Sequence, residues 1–442
     1  MHSRPALNLY ALYRSTFLRQ IRGLLTVMLS NIRAIGTDIL VGDQTVATLS
    51  GTELPEAFRT LLVSIRQNLH MHPELGFSEH RTSQFIRGIL EMHGLRVRGP
   101  VAGTGLYVDI DGVHPGQGVG YRSDIDALPI QDAKDVDYAS RNPGVAHLCG
   151  HDVHTSIAIG VALLLDRCRE QIHGRIRVFF QPNEEGFPSG APRMISDGVL
   201  DGLEAAYAIH VDPTLPFGKY GLIDGAVTAS ADRFQIHVLA PATGHSARPH
   251  ESIDTIWIAT KIMNALYQVI GRISDARRTA ILTICQIGGG TAHNVIPNEV
   301  QFSGTLRCTF NEDRQRFQEI IANTARQHAA LYHAGVKVDF DWGSPPVIND
   351  KRLVQNVRST VQDVFDASAA YDIPLPSMGA EDFAHYLEHV PGALIRTGTS
   401  SGPATSFPLH NACFDVDEDA IIPTVRLISQ VLLNHLKNPP LI

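Results

Sequence analysis

The stretch His147-Leu-Cys-Gly-His-Asp-Val-His154 packs a thiol and three imidazoles into eight residues. Thiolate and imidazole are soft and borderline donors, suited to a divalent transition metal. Cys149 and His151 are two apart, so in extended backbone they share one face, and Gly150 between them adds no bulk. Asp152 is placed to hold a ligand imidazole by its second nitrogen. A second group is Glu184-Glu185, between Pro182 and Gly186. Adjacent carboxylates repel each other unless cations lie nearby. In an extended chain they point opposite ways, so one can bind metal while the other faces a bound water. Single histidines complete the set: His210 before Pro213, and His410 in Pro408-Leu-His-Asn-Ala412 ahead of the acidic Phe414-Asp-Val-Asp-Glu418. Each alone also reads as a polar loop, a solvated acidic pair or a surface histidine. Together they spell metal-assisted hydrolysis.

The elements that must carry these residues are legible. Leu54, Phe58, Leu61, Leu62, Ile65 and Leu69 recur at helical spacing behind Pro55, a residue suited to a first turn. A second helix is expected over Ser83–His93, closed by Gly94. Gly105–Asp111 reads as a strand, Gly116–Gly118 as a turn, and Val119–Arg122 as the next strand, running into Ser123-Asp-Ile-Asp126. A strong helix is expected over Thr155–Arg169, with Thr155 or Asp152 as its cap. The strand Arg175–Phe180 leads to the Glu pair, and the strand Ala205–His210 ends on its histidine. Strands alternating with helices indicate an α/β sheet with ligands at the strand C-terminal ends.

The texture changes near residue 227. Strands over Phe234–Ala240, Ile281–Ile287, Val300–Arg307 and Val336–Phe340, with helices over Ile253–Ile270 and Arg314–His333, give the order β-α-β-β-α-β of a ferredoxin-like α+β insert. The expected plan is a catalytic domain split into residues 53–226 and 343–442, an inserted domain at 227–342, and an N-terminal extension at 1–52.

The 442 residues are too many for one small core. The net charge, 37 − 45 = −8, speaks against a nucleic-acid binder. No apolar run reaches the roughly 18–20 residues that span a bilayer, so no membrane partner is expected. Five cysteines without paired spacing argue against a disulfide framework and for a reducing, cytoplasmic location. The first 37 residues carry five arginines and no acid. That composition fits a transit peptide, but an extension dispensable to the fold is the simpler expectation.

Nine stretches occur in one order: Arg122-Ser-Asp-Ile-Asp-Ala-Leu-Pro129, His147–Asp152, Gln181-Pro-Asn-Glu-Glu-Gly186, Ala208-Ile-His-Val211, Gly244-His-Ser-Ala-Arg-Pro-His250, Gly289–Pro297, Gly304-Thr-Leu-Arg307, Met378-Gly-Ala-Glu-Asp-Phe383 and Pro408-Leu-His-Asn411. From about Leu61 to the C-terminus the chain resembles the metallopeptidase family of carboxypeptidase G and aminoacylase. Within it, the chain is most similar to the branch of N-acyl-amino-acid amidohydrolases that includes hippurate hydrolase and the indole-acetyl-amino-acid hydrolases. The resemblance implies an α/β catalytic domain with a mixed central sheet flanked by helices, and an inserted lid that also makes a homodimer. It implies two divalent metals (manganese or zinc, with cobalt open) held by Cys149, His151, Glu185, His210 and His410, the cysteine bridging. It implies Glu184 as general base, His245 as oxyanion donor, and Asn294 and Arg307 as holders of the substrate's α-carboxylate. The sequence departs from the family pattern before about residue 50, at Thr243-Gly244, where a glycine pair is usual, and at Asn183, where a small residue is usual.

The chemistry this implies is attack of a metal-bound hydroxide on the amide C–N bond of an N-acyl amino acid or other small amide, with Glu184 moving the proton. Three alternatives remain open at this point: hydrolytic deamination of an aromatic amine by the same site, a single-metal hydrolase, and a non-catalytic metal-holding protein.

Overall fold

A computed structural model of the chain describes residues 54–439; the expected extension at 1–52 lies outside the described residues. In chain order the principal elements are α1 (Glu56–Met71), α2 (His80–Met92), β1 (Val97–Val101), β2 (Gly105–Asp111), β3 (His114–Asp124), α3 (His151–Arg167), β4 (His173–Gln181), β5 (Ala205–Pro216) and β6 (Tyr220–Leu222). Then follow β7 (Asp232–Leu239), α4 (Thr255–Ile273), β8 (Ala280–Gly289), β9 (Glu299–Cys308), α5 (Asn311–Ala330) and β10 (Gly335–Asp341). The chain closes with α6 (Lys351–Val364), β11 (Ala370–Asp372), β12 (Gly392–Ser400) and α7 (Ile421–Lys437).

The large sheet is mixed and eight-stranded, in the order β1-β2-β4-β3-β5-β12-β6-β11. Its centre, β4-β3-β5-β12, is parallel, while β1, β2 and β6 pair antiparallel with their neighbours β2, β4 and β12. Central parallel strands are covered on both faces and read as unbroken apolar runs. Ala205 to Val211 of β5 is accordingly buried at every position. One face packs on α1, α3, α6 and α7 through Leu62, Ile65, Ile157, Val161, Val357, Val425 and Ile428. The other packs on two short helices through Phe179, Met194, Phe383 and Tyr386. The four-stranded sheet β8-β9-β7-β10 is antiparallel throughout. Its own core, which includes Phe234, Ile262, Leu266, Phe302, Phe317 and Ile321, gathers α4 and α5 on one side.

Three sequence expectations are corrected here. Residues 116–118 are not a turn but lie inside β3, where the register with β4 shifts between His114 and Gly118. A Cβ on Gly116 would lie 2.3 Å from the His173 carbonyl oxygen, so glycine permits this close approach. β5 does not stop at His210 but runs on to Pro216, because β12 pairs with it along that length. Neither Thr155 nor Asp152 caps α3: the helix starts at His151 behind left-handed Gly150, without a side-chain cap. Its end at Arg167 gives way to a 3-10 turn over Arg169–Gln171. No helix among the described residues is long and apolar enough to cross a membrane.

Candidate metal centre

The parallel centre of the sheet delivers polar residues to one edge. β3 ends in Asp124 and leads to Asp126; β4 leads to the Glu pair; β5 carries His210; α3 begins on His151. Ligand sites of α/β sheets lie at this edge, beyond the strand C-termini.

Cys149 and His151 meet through a turn rather than along extended chain. Gly150 has φ +85°, and a Cβ there would fall 2.3 Å from Val211 Cγ2. Only glycine meets both demands at once. Glu184 and Glu185 likewise do not diverge as extended chain would have them. Asn183 has φ +53°, and past it both carboxylates turn inward, each 4.0 Å from His151 Nε2. His410, itself at φ +66°, places Nε2 3.2 Å from Glu185 Oε1.

Among the sets of donor atoms that result, two share Cys149. Cys149, His151 and His210 each offer an atom within 4.8 Å of the others, and so do Cys149, Glu185 and His410. Cys149 Sγ lies 3.5 Å from His210 Nε2. Metal–ligand bonds of about 2.0–2.3 Å place tetrahedral ligand atoms roughly 3.3–3.8 Å apart, so the spacing suits a metal ion. The proton inventory suits it too. His210 Nδ1 donates to the Val211 carbonyl at 2.8 Å, and His151 Nδ1 donates to the Asp126 carbonyl at 2.9 Å. The remaining Nε2 of His210 faces the thiol, and that of His151 faces the carboxylates of Glu184 and Glu185. His151 Nε2 is buried and has no hydrogen-bond partner, a costly state for a polar atom unless a ligand engages it. Burial pushes the Cys149 thiol far above its ordinary value; a divalent cation is what reverses that logic and leaves a thiolate.

Asp152 does not orient a ligand. It pairs with Arg66 at 2.9 Å and His70 at 2.7 Å, beneath α1. That work falls to Asp126, to which the sequence reading assigned no role: its carbonyl and Oδ1 face His151 Nδ1, and its Oδ2 accepts the Glu185 backbone N–H at 3.0 Å. His154, the third imidazole, is spent internally. Its Nδ1 meets Asp124 at 2.7 Å, and its Nε2 accepts the Val211 N–H at 2.9 Å, which fixes β5 beside His210. Below them Arg122 is fully buried and paired with Asp124, Glu381 and Asp382. The alternation Asp124, Asp126 across a strand end was the available signal, and the Glu381-Asp382 pair echoed it.

Glu184 sits over these acids. Burial raises its carboxyl well above the ordinary range, and Glu381, Glu185 and Asp382 add to the effect. Such a carboxyl can take up and hold a proton, as acid-base work requires. Burial would raise Glu185 as well, but the contacts to His410 and His151 outweigh it and hold Glu185 low.

A cavity of about 590 Å³ opens over the cluster, within the usual range for small-molecule sites. Its walls include Cys149, Glu184, Glu185, His210, His410 and Arg307. His245 and Asn294 stand apart from it. Both are exposed: His245 lies on the small ladder of residues 244–245 and 295–296, and Asn294 just before it, where Ser246 N–H donates to the Asn294 carbonyl at 3.1 Å.

The profile of peptidase family M20/M25/M40 matches residues 120–434. The N-acetyl-L-cysteine deacetylase of Bacillus subtilis is 36% identical over 390 residues, covering 88% of this chain and 90% of that protein. The N-acyl-L-amino acid amidohydrolase of Geobacillus stearothermophilus is 38% identical over 302 residues, covering 67% of this chain and 80% of that protein. The crystal structure of a dinuclear metal-binding peptidase from Bacillus subtilis superposes with a TM-score of 0.77 at 32% identity, covering 87% of this chain and 99% of that one.

Proposed function

The chain belongs to peptidase family M20/M25/M40, and from that premise we propose that it hydrolyses the amide C–N bond of an N-acyl amino acid with two divalent metal ions. The observation that carries this reading is the sharing of Cys149 by the two donor sets. His151 and His210 complete one set, Glu185 and His410 the other. Ions held there would lower the pKa of a coordinated water and polarise a carbonyl. Manganese, zinc and cobalt all accept this mixture of thiolate, imidazole and carboxylate.

Glu184, partly buried beside these donors, takes the proton of the attacking water and returns it to the departing amine. Asp126 holds His151 and the Glu185 loop in register. Arg307 presents a planar fork for the α-carboxylate; one of its Nη atoms is already fixed on the Met378 carbonyl at 2.9 Å.

The unit at 227–342 acts as a lid and as the dimer contact. His245 Nδ1 accepts the Ala247 N–H at 3.0 Å, so the neutral ring carries its proton on Nε2 and can donate. Its exposure, with that of Asn294, is that of residues lent to the site of a second subunit, where an aimed N–H stabilises an oxyanion as charge develops.

The test is a panel of N-acetyl, N-benzoyl and N-indoleacetyl amino acids. Hydrolysis should vanish on chelation and return with manganese or zinc. Full turnover in protein shown to be metal-free, or no turnover of any member with metal restored, would overturn the reading.

A further inference from the structure

The cavity over the metal centre holds a charge that neither the chemistry above nor the fold uses. β12 is a central strand, and from Gly392 to Thr399 every residue is buried except Arg396. Arg396 is the register partner of His210 on parallel β5, so the two side chains leave the sheet on the same face. Arg396 accordingly lines the cavity alongside Cys149, His210 and Glu185.

A guanidinium in the middle of a buried strand is expensive to desolvate and is normally matched by a carboxylate. Arg122, nearby, shows the usual solution, with three acids around it. Arg396 forms no ion pair and no side-chain hydrogen bond among the described residues. Arg307 and Arg233 line the same cavity and have no carboxylate partner either. Arg307 is engaged by a backbone carbonyl, and exposed Arg233 lies over the Phe187 ring at 4.6 Å. One cation is accounted for by the α-carboxylate of an N-acyl amino acid. Arg396, the one set deep in the sheet, is left over.

We propose that the substrate carries a second carboxylate besides the α-carboxylate, and that Arg396 is the specificity-determining residue that receives it. The inference rests on the amidohydrolase reading and narrows it to dicarboxylic N-acyl amino acids. The second carboxylate has two possible sources, an acidic amino-acid side chain or a carboxylate-ended acyl chain. Both present the same planar anion to a bidentate fork.

Two matched pairs separate the sources: N-acetylglutamate against N-acetylglutamine, and N-succinylmethionine against N-butyrylmethionine, each assayed with the metal-loaded enzyme. A charge-assisted contact in a partly enclosed site predicts a kcat/KM advantage of about 10–100-fold for the anionic member of one pair. The pair that shows it identifies the source. Arg396→Gln should collapse that ratio toward one, chiefly through KM, and Arg396→Lys should keep part of it. A wild-type ratio near one in both pairs overturns the inference and leaves amide hydrolysis standing. A preference that survives Arg396→Gln unchanged overturns the assignment to Arg396. Should the glutamine variant fail to fold, the wild-type ratios and the lysine variant still decide. If no member of either pair is cleaved while an N-benzoyl or N-indoleacetyl amino acid is, the inference alone fails; if none of these is cleaved either, the amidohydrolase reading fails with it.

Discussion

The His410 backbone N–H donates to the Leu148 carbonyl at 2.8 Å. A donor from the last quarter of the chain is thus clipped to the residue just before Cys149, and the two side chains reach the same set of donor atoms. The clip holds His410 in its left-handed backbone conformation, which otherwise costs a non-glycine residue on the order of 1 kcal/mol.

The two adjacent glutamates should separate in function. Glu184→Gln keeps the shape of the side chain and removes its proton acceptor. Turnover should fall about 10²–10⁴-fold while metal content stays near wild type. Glu185→Gln should instead lose metal. Side-by-side metal analysis and kcat measure the contrast, and near-normal turnover of the Glu184 variant would refute its role as base.

Asp126 grips His151 and the loop of Glu185, so Asp126→Asn should weaken metal binding without unfolding the protein. Loss of such an outer partner costs about 10–100-fold in affinity. Competition with a chelator of known affinity reads the change. An unchanged metal affinity would show that the Asp126 carbonyl alone suffices to orient His151.

Glu79 gives a pH signature behind the loop that carries the Glu pair. It is fully buried, accepts the Asn183 N–H at 2.9 Å and meets Thr104 Oγ1 at 2.6 Å. Burial raises its carboxyl from 4.5 to about 7. A raised folded-state value means that the native protein holds a proton the unfolded chain has released. This stabilising contribution is complete below about pH 4.5 and is lost as pH rises toward 7. Glu79→Gln removes the titration. The variant should therefore gain on wild type across that window, by up to about 3 kcal/mol. Chemical denaturation of both proteins at several pH values tests this, and parallel stability curves would contradict it.

Completion of the site across a dimer predicts complementation. A His245→Ala chain keeps its metal centre but has no donor to lend; a Glu184→Gln chain lacks the base but can lend His245. Each homodimer should be nearly inactive. Random exchange makes half the dimers mixed, each with one working site, so about a quarter of wild-type activity should return. If mixed dimers form and stay inactive, His245 does not act in its partner.

The sequence carried the identities of the candidate ligands more fully than their geometry. The period of α4 and the alternation along β7 come from local burial, so both were readable. The continuation of β5 past His210 was not, because it depends on β12, which arrives after the whole inserted unit. Nor could local spacing show that Gly150 breaks the extended path between Cys149 and His151, since the constraint is Val211 on another strand. Asp126 stood in plain view in Ser123-Asp-Ile-Asp126, but its task joins residues 151 and 185 and exists only once β3 and β4 lie side by side. The third imidazole, His154, shows the converse. Its spacing fits a ligand, while its two nitrogens are taken by Asp124 and Val211.

The placement of β12 between β5 and β6 has a consequence for how the protein is made. A ribosome releases β5 and β6 well before the residues that will join them. Until Gly392–Ser400 emerges, the nascent chain carries an apolar strand with an open edge, the kind of surface that pairs with other chains. Four of the five donors have already left the ribosome by the time β6 is out, and His410 comes only after β12. Closing the edge and completing the donor set are thus nearly one event, late in synthesis, and a chain truncated before residue 392 would have neither.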